Sequence, residues 1–491
     1  MLDIFYQAFS ILLQPGSLAA MLVGMVLGLV VGVVPGIGGP FALALLMPLT
    51  YTMEPVFGIV MLVTLVSVVG NGGSVSAILV GVPGTPTNAA TIMDGYQMTR
   101  NGEAGRALAA CLTTSAIGGV FGAIILVLIM PVMRAVILSF GHPELFMIAV
   151  LGISFVAVLG EGSMIKAFTT AAFGFVIALI GYDPVSGVPR YDMGIIYLYD
   201  GIKILPITLG LFALPELMGL YADLQSGEAK TFTQKEIWQG VKDVFQHWFL
   251  VMRCSILGTI IGMIPGLGAD TAIFLAYAHA KQTSKHPERF GHGAVEGVIA
   301  PETANNAKEG GALVPTLGFG IPGSVVMAIL ISAFIILGLQ PGPAMMKNQP
   351  ELIMVMALLT GLTNVVGSGV CLVAAKGLVK LASIRAKILV PWIMMLIMVG
   401  AYVPNKSYAD VVITIFFGLL GIAMKAYEYP RVVLLLVVVL AKTLELNFWM
   451  GWQYFGMAMF LRPIVLVFAG LIIITIGSQY YFSKKKGPET A

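Results

Sequence analysis

Apolar runs of about 20 residues, the length one hydrocarbon crossing requires, recur along the whole of this 491-residue chain with brief polar breaks between them. A chain patterned this way has to satisfy its backbone hydrogen bonds internally, which leaves helices and closed barrels. Barrel strands span with about ten strictly alternating residues, whereas the run from Ala107 to Met130 is long and apolar on every side. The expected fold is an all-α polytopic integral membrane protein with about 10–14 membrane segments, some of them broken or re-entrant. Hydrophobic residues make up 58% of the chain and charged ones 10%, against about 45–50% and 25% in soluble domains. No soluble core needs such a composition.

The net charge of +3 is small and its basic residues are scattered through loops, so no basic face exists for nucleic acid. Cys111, Cys254 and Cys371 sit in apolar stretches without CxxC spacing, which suggests packing roles rather than a disulfide or zinc site. The N-terminus, MLDIFYQAF, carries Asp3 where a signal peptide would be basic, and it is expected to be retained. Lys376, Lys380, Arg385 and Lys387 form an acid-free loop, cytoplasmic by the positive-inside rule. Crossings near 388–403, 409–424, 431–446 and 457–480 then put Lys425, Arg431 and the tail Lys484 to Lys486 on the same side, and an aromatic outer loop, Asn447 to Phe455, at headgroup level.

The one long hydrophilic stretch in mid-chain places Ile237, Trp238, Val241, Val244, Phe245 and Trp248 on one helical face, as an interfacial amphipathic helix does. It divides the chain into a membrane repeat over 1–222, a linker helix over 223–249, a second repeat over 250–482 and a cytoplasmic tail over 483–491. The halves carry matching motifs. GLVVGVVPGIGG from Gly28 and GTIIGMIPGLGA from Gly258 align at one constant offset, through Gly32/Gly262, Pro35/Pro265, Gly36/Gly266 and Gly38/Gly268. GGSVSAILVGVPGTPTN from Gly72 and GGALVPTLGFGIPGS from Gly310 follow after a short insertion, and HPELF at His142 echoes QPELI at Gln349. Two internally repeated halves are expected, in inverted orientation, because broken-helix pairs usually come that way.

Gly24, Gly28, Gly32 and Gly36 recur at every fourth position, as do Cys254, Gly258, Gly262 and Gly266; each stripe allows close helix approach. Pro35, Gly36, Gly38 and Gly39, and Pro265, Gly266 and Gly268, then remove a backbone donor and supply positions without side chains, so a break in mid-membrane is expected. One such motif would be a packing kink. Several in matching order point to a transporter site, because unpaired backbone is tolerated at that depth only inside protein or along a wet cavity.

The second motifs add polar groups. Asn71, Gly72, Gly73 and Ser74 lead into Pro83, Gly84, Thr85, Thr87 and Asn88, while Gly310 and Gly311 lead through Thr316 to Gly320, Pro322, Gly323 and Ser324. Hydroxyls, amides and bare N–H groups suit a carboxylate or Na⁺, and helix N-termini hold anions without Arg or Lys. Within PETANNAKEGG, from Pro301, the amides of Asn305 and Asn306 offer both donors and acceptors. That segment reads either as a solvated loop lip or as the polar wall of the substrate site. Asp270 is the acid set most deeply in apolar sequence, so Asp270 and Thr271 are candidates for cation coupling, with Na⁺ near Asp270. The competing reading makes Asp270 the N-cap of a helix from Thr271 to Lys281.

Enzyme readings find little. His279, His286, His292, Glu296 and Glu302 are close in sequence but lack HExxH and fall in a charged loop, and PGIGG and PGLGA lack the GK[ST] ending of a P-loop. No cofactor is expected; energy would come from a Na⁺ or H⁺ gradient or from a partner. A passive channel for small anions and a membrane-embedded enzyme remain the rival classes.

At GLVVGVVPGIGG, GNGGSVSAILVGVPGTPTNAATIMDGYQM from Gly70, GMIPGLGADTA from Gly262 and APETANNAKEGGALVPTLGFGIPGS from Ala300, the chain resembles the large membrane subunit of the tripartite tricarboxylate transporters, the TctA-like family. The resemblance extends over nearly the whole chain. It implies a non-enzymatic translocating subunit in a bacterial inner membrane, with a small membrane subunit and a periplasmic solute-binding protein as partners. The substrates it implies are tri- or dicarboxylates such as citrate, imported by symport with Na⁺ or H⁺.

Overall fold

The computed structural model describes residues 2–34, 38–137, 139–159, 163–222, 233–265, 268–382 and 386–485. Pro35, Gly36, Gly266, Arg385, Lys486 and residues 223–232 of the expected linker lie outside the described residues. The chain opens with α1 (Leu2–Leu12), α2 (Pro15–Val33), α3 (Gly39–Thr50), α4 (Pro55–Leu79), α5 (Ala89–Arg100) and α6 (Ala104–Ile137). There follow α7 (His142–Leu159), α8 (Met164–Ala178), a small antiparallel hairpin pairing Gly181–Tyr182 with Pro189–Arg190, α9 (Ile204–Thr208) and α10 (Leu214–Ala222). Next come α11 (Gln234–Gln246), α12 (Trp248–Met263), α13 (Gly268–Thr283), α14 (Glu296–Phe319), α15 (Val325–Ile336), α16 (Pro343–Asn348) and α17 (Pro350–Ala382). The last four helices are α18 (Ala386–Tyr402), α19 (Tyr408–Ala426), α20 (Arg431–Phe455) and α21 (Pro463–Lys485).

Among the described residues, 6 helices are long and apolar enough to cross a membrane, or 7 if α11 and α12, bent by 73°, form one span. The other apolar runs form shorter helices of 10–17 residues, among them α3 and α15. These are the lengths of broken or re-entrant pieces, so the protein is an all-α, multi-pass membrane protein.

The glycine stripes explain how the helices lie. A side chain at Gly24, Gly28 or Gly32 would strike the backbone of Met61, Leu65 or Val69, so α2 lies in tight parallel contact with α4. The 12-residue α3 between them must therefore carry the chain back. In the second half Gly258 abuts Ala304 and Gly262 abuts Lys308, which makes α12 and α14 the same parallel pair. α2 with α3, and α12 with α13, are therefore the arms of helical hairpins, and of PGIGG and PGLGA between the arms residues 35–37 and 266–267 lie outside the described residues.

The packing repeats as well. α6 packs on α14 as α17 packs on α4, and α11 packs on α6 as α1 packs on α17. The equivalent helices α4 and α14 cross antiparallel, with Gly70 at Asn305 and Ser74 at Glu302. α6 and α17 also run antiparallel, with Gly119 at Asn364 and Ala123 at Gly361. Corresponding helices pointing opposite ways make the two halves inverted copies.

Two local expectations change. α6 corresponds to α17, so HPELF, which opens α7, is out of register with QPELI, which opens α17. Pro at the first helical position with Glu in the first turn is a general helix start, and it arises independently. The aromatic segment Asn447 to Phe455 is the last part of α20 rather than a loop: the helix continues through buried Gly451 and ends at Gly456, φ 51°. The interfacial helix α11 begins on a capping box made by Thr233 and Glu236. It leaves Trp238, Phe245 and Trp248 exposed while buried Asp243 binds Arg106 of α6. At its bend, His247 lies outside the spans, with Nδ1 2.8 Å from the Asp243 carbonyl and Nε2 3.5 Å from Glu296.

Candidate functional site

The α4–α14 crossing holds an acid at 0% exposure, Glu302. Ser74 Oγ lies 3.0 Å from each of its two carboxylate oxygens and from the Gly70 carbonyl, which share its one proton; Thr91 Oγ1 donates at 2.5 Å, and Asn88 Nδ2 and Ser115 Oγ at 3.3 Å each. These donors come from α4, α5, the single 3₁₀ turn Pro86–Asn88 and α6, while the carboxylate comes from α14. Among the described residues, no Lys, Arg or His pairs with Glu302. An ionised carboxylate here is met only by neutral dipoles, and these replace part of its lost hydration. The network continues outward. Asn88 Nδ2 also donates to Ser74 Oγ at 2.7 Å and to the Gly70 carbonyl at 3.2 Å, Thr85 Oγ1 donates to Asn88 Oδ1 at 2.5 Å, and Thr85 and Thr87 hydroxyls lie 2.8 Å apart.

The two Pro-Gly loops seat themselves in equivalent places. Gly84 lies against the Gly32 carbonyl and Gly73, and Gly323 against the Gly262 carbonyl and Ala312, so a side chain at either would collide with backbone. The Gly84 N–H reaches the Gly73 carbonyl at 3.4 Å, and the Gly323 N–H reaches Thr316 Oγ1 at 3.3 Å. Gly320 ends α14 in the left-handed conformation at φ 71°, a geometry that glycine adopts without strain. Pro322 follows it, and Ser324 caps α15 by accepting the Met327 N–H at 3.3 Å. Gly72 and Gly73 on one side, and Gly310 and Gly311 on the other, are not breaks. They lie inside α4 and α14, where Gly72 packs on Leu29, Gly310 on Gly122 and Gly311 on Thr259.

The hairpin turns meet these loops. Gly38 lies beside Pro86, Gly39 beside Val326 of α15, and α13 packs on the Pro86–Asn88 turn, while Pro265 is buried. PETANNAKEGG is neither a loop nor a lip but the buried centre of α14, and Asn305 and Asn306 are inaccessible to solvent. Asn306 Nδ2 donates to the Glu302 carbonyl at 3.1 Å, and Asn71 Nδ2 to Ser368 Oγ at 3.1 Å. The Oδ1 atoms of Asn71 and Asn364, both buried, accept no protein hydrogen bond. Lys308 is also buried and lies 2.5 Å from Glu309, so the core holds a cation where none was expected.

Asp270 and Thr271 lie in α13, the helix that packs on the Pro86–Asn88 turn. α13 begins at Gly268, so Asp270 lies inside its first turn rather than at an N-cap; its side chain is not among those described, and Thr271 is exposed. Sequence reasoning noted Glu302 without giving it a role and passed over Thr91 and Ser115. It also missed Asp94 of α5, buried, whose Oδ1 accepts the N–H groups of Gly291, Gly293 and Ala294 at 2.8–2.9 Å and whose Oδ2 accepts Tyr277 OH at 2.8 Å. A carboxylate in MDGY carries no periodic signal of its own; only the placement of the loop before α14 shows its use. His286 is exposed and pairs with Glu288, and no group of three or more His, Cys, Asp or Glu forms a metal site among the described residues.

Residues 18–436 match the tripartite tricarboxylate transporter TctA family. An Agrobacterium vitis relative described as an uncharacterized 52.8 kDa protein in the TAR-I ttuC' 3' region is 36% identical over 443 residues, covering 89% of this chain and 87% of the relative. A second from Agrobacterium vitis, described as an uncharacterized protein in the TAR-II ttuC' 3' region, is 37% identical over 194 residues, covering 38% of this chain and 78% of the relative. No solved structure matches. With inverted hairpin pairs in the core and the family match running from α2 into α20, the chain belongs to the tripartite tricarboxylate transporter TctA family.

Proposed function

We propose that this chain is the large translocating subunit of a binding-protein-dependent secondary transporter that imports tri- or dicarboxylates, citrate among them, by symport with a cation, Na⁺ or H⁺. The observation that carries the reading is the meeting of inverted hairpins and Pro-Gly loops around one buried polar network. Gly38 and Gly39 reach both Pro86 and Val326, which join the two halves. Irregular backbone of this kind at the repeat interface is where secondary transporters hold substrate and ion. The unpartnered Oδ1 atoms of Asn71 and Asn364 supply buried acceptors of the kind that hold water or a cation. Family membership supports a small membrane subunit and a periplasmic solute-binding protein as partners, and with them a bacterial inner membrane. Lys376 and Lys380 near the end of α17, Lys387 at the start of α18 rather than in a loop, and Lys484 and Lys485 at the end of α21 support a cytoplasmic C-terminus. The test is uptake of labelled carboxylates into proteoliposomes holding both membrane subunits, with the binding protein outside. Concentrative, binding-protein-dependent accumulation is expected. Equilibration without accumulation would instead indicate a pore.

A further inference from the structure

Within the transport reading just given, the carboxylate at the α4–α14 crossing has a specific task. We propose that Glu302 is the coupling-cation site, binding one Na⁺ together with hydroxyl oxygens of Ser74, Thr91 and Ser115 and the Gly70 carbonyl. Three observations lead there. Glu302 is at 0% exposure and is met by no cationic side chain among the described residues. A full negative charge at that depth is costly without a counter-charge, so an intramembrane acid of this kind marks an ion pathway. Its surroundings are hard oxygen ligands of the type that bind hydrated metal cations: three hydroxyls within 3.3 Å of the carboxylate, and a carbonyl that already holds Ser74 Oγ at 3.0 Å. Hydroxyl groups serve in both states, because they donate to the bare carboxylate and present lone pairs to a cation after rotating. The ligands also belong to both inverted halves, α4, α5 and α6 from one and α14 from the other. Occupancy of the site therefore changes the free energy of the contact between the halves, which is the requirement for coupling an ion to a conformational step.

A proton is the competing cation. The carboxylate has about four lone-pair sites, and its oxygens already accept from Ser74, Asn88, Thr91 and Ser115; either cation takes one of those sites and turns a hydroxyl round, so separate Na⁺ and pH series distinguish them. The other titratable side chains facing the group are Cys111 of α6 and Cys371 of α17. Asp94, one turn along α5 from Thr91, is occupied by Tyr277 and backbone N–H groups, and Lys308 by Glu309.

The test is thermal unfolding of the full-length protein in detergent across a NaCl series, with choline chloride holding ionic strength constant, at pH 6, 7 and 8. Wild type is expected to show saturable, Na⁺-specific stabilisation that Glu302→Gln removes. Ser74→Ala and Ser115→Ala keep the carboxylate and are expected to raise the Na⁺ midpoint tenfold or more, so the question is answered even if Glu302→Gln folds poorly. Asp270→Asn is expected to leave the midpoint unchanged. Absence of Na⁺-specific stabilisation in wild type, stabilisation that follows pH alone, or a midpoint that moves in Asp270→Asn and not in the Glu302 and Ser74 variants would each overturn the assignment. The outcomes separate from those of the transport reading: carboxylate uptake indifferent to Na⁺ overturns this site and leaves the importer standing, whereas Na⁺ stabilisation in a protein that never accumulates carboxylate removes the importer and leaves the site.

Discussion

Gly310→Ala adds one methyl group at the closest approach of two helices. Its Cβ would fall on the backbone of Gly122, and backbone cannot swing aside as a side-chain tip can. Overpacking of this kind costs about 1–3 kcal/mol, while replacing a mid-helix glycine by alanine returns about 0.5–1 kcal/mol in chain entropy. Gly369→Ala in α17 isolates the second effect, since a Cβ there meets nothing within 4 Å. The expected result of reversible unfolding in mixed micelles is a destabilised Gly310 variant and a Gly369 variant that is neutral or stabilised, with a gap of about 1–3 kcal/mol between them. Gly310→Ala should also lose transport out of proportion to its expression, because the α6–α14 contact joins the two halves. Equal stability of the two variants would refute the claim that glycine stripes set these crossings.

Asp243→Asn weakens the Arg106 contact that holds α11 to α6, and a loss of about 3 kcal/mol is expected in the same unfolding assay; a loss below about 1 kcal/mol would show that α11 docks without it. The hydrogen bond that His247 Nε2 donates to the Glu296 carboxylate raises the His247 pKa above its ordinary value. The stabilisation from that pair is therefore full below about pH 6.5 and disappears as pH rises through the raised value. Unfolding across pH 5 to 9 should show this fall in wild type and not in His247→Gln. Arg190 chelates Glu445 at 2.7 and 3.0 Å and touches Asp183 at 2.9 Å, so Arg190→Gln is expected to speed proteolysis of the exposed segment between Gly181 and Ile195 several-fold while leaving the helical core intact. An unchanged cleavage rate would show the hairpin is held otherwise.

The membrane class, the small-residue stripes and the duplication were legible because each depends on periodicity or on repetition, which a sequence displays directly. The role of Glu302 was hidden for the opposite reason. PETANNAKEGG contains two acids, a lysine and two amides, a composition that reads as solvated loop, and only the surrounding helices reveal that α14 carries it through the interior. Asp270 drew notice because its immediate neighbours are apolar, but sequence neighbours describe one strip of environment; for Glu302 four other segments decide the surroundings. Breaks and re-entrant pieces were expected, but the direction of the chain after each break was not legible, for a related reason. Pro-Gly-x-Gly announces that a helix stops, and the direction of the chain afterwards follows from what the next helix packs against, which for α2 is the parallel α4.

The insertion that separates the motifs in the second half gives the repeat an asymmetry of energy. Two identical inverted copies would exchange shapes between inward-open and outward-open forms with no preference, since each form would be the other turned over. The loop of Gly291, Gly293 and Ala294, fastened to Asp94 of the opposite half by three N–H groups, has no counterpart between α3 and α4, which are joined directly through residues 51–54. A fastening present on one hairpin alone makes the two halves unequal in energy, so under the transport reading the two orientations would differ in free energy.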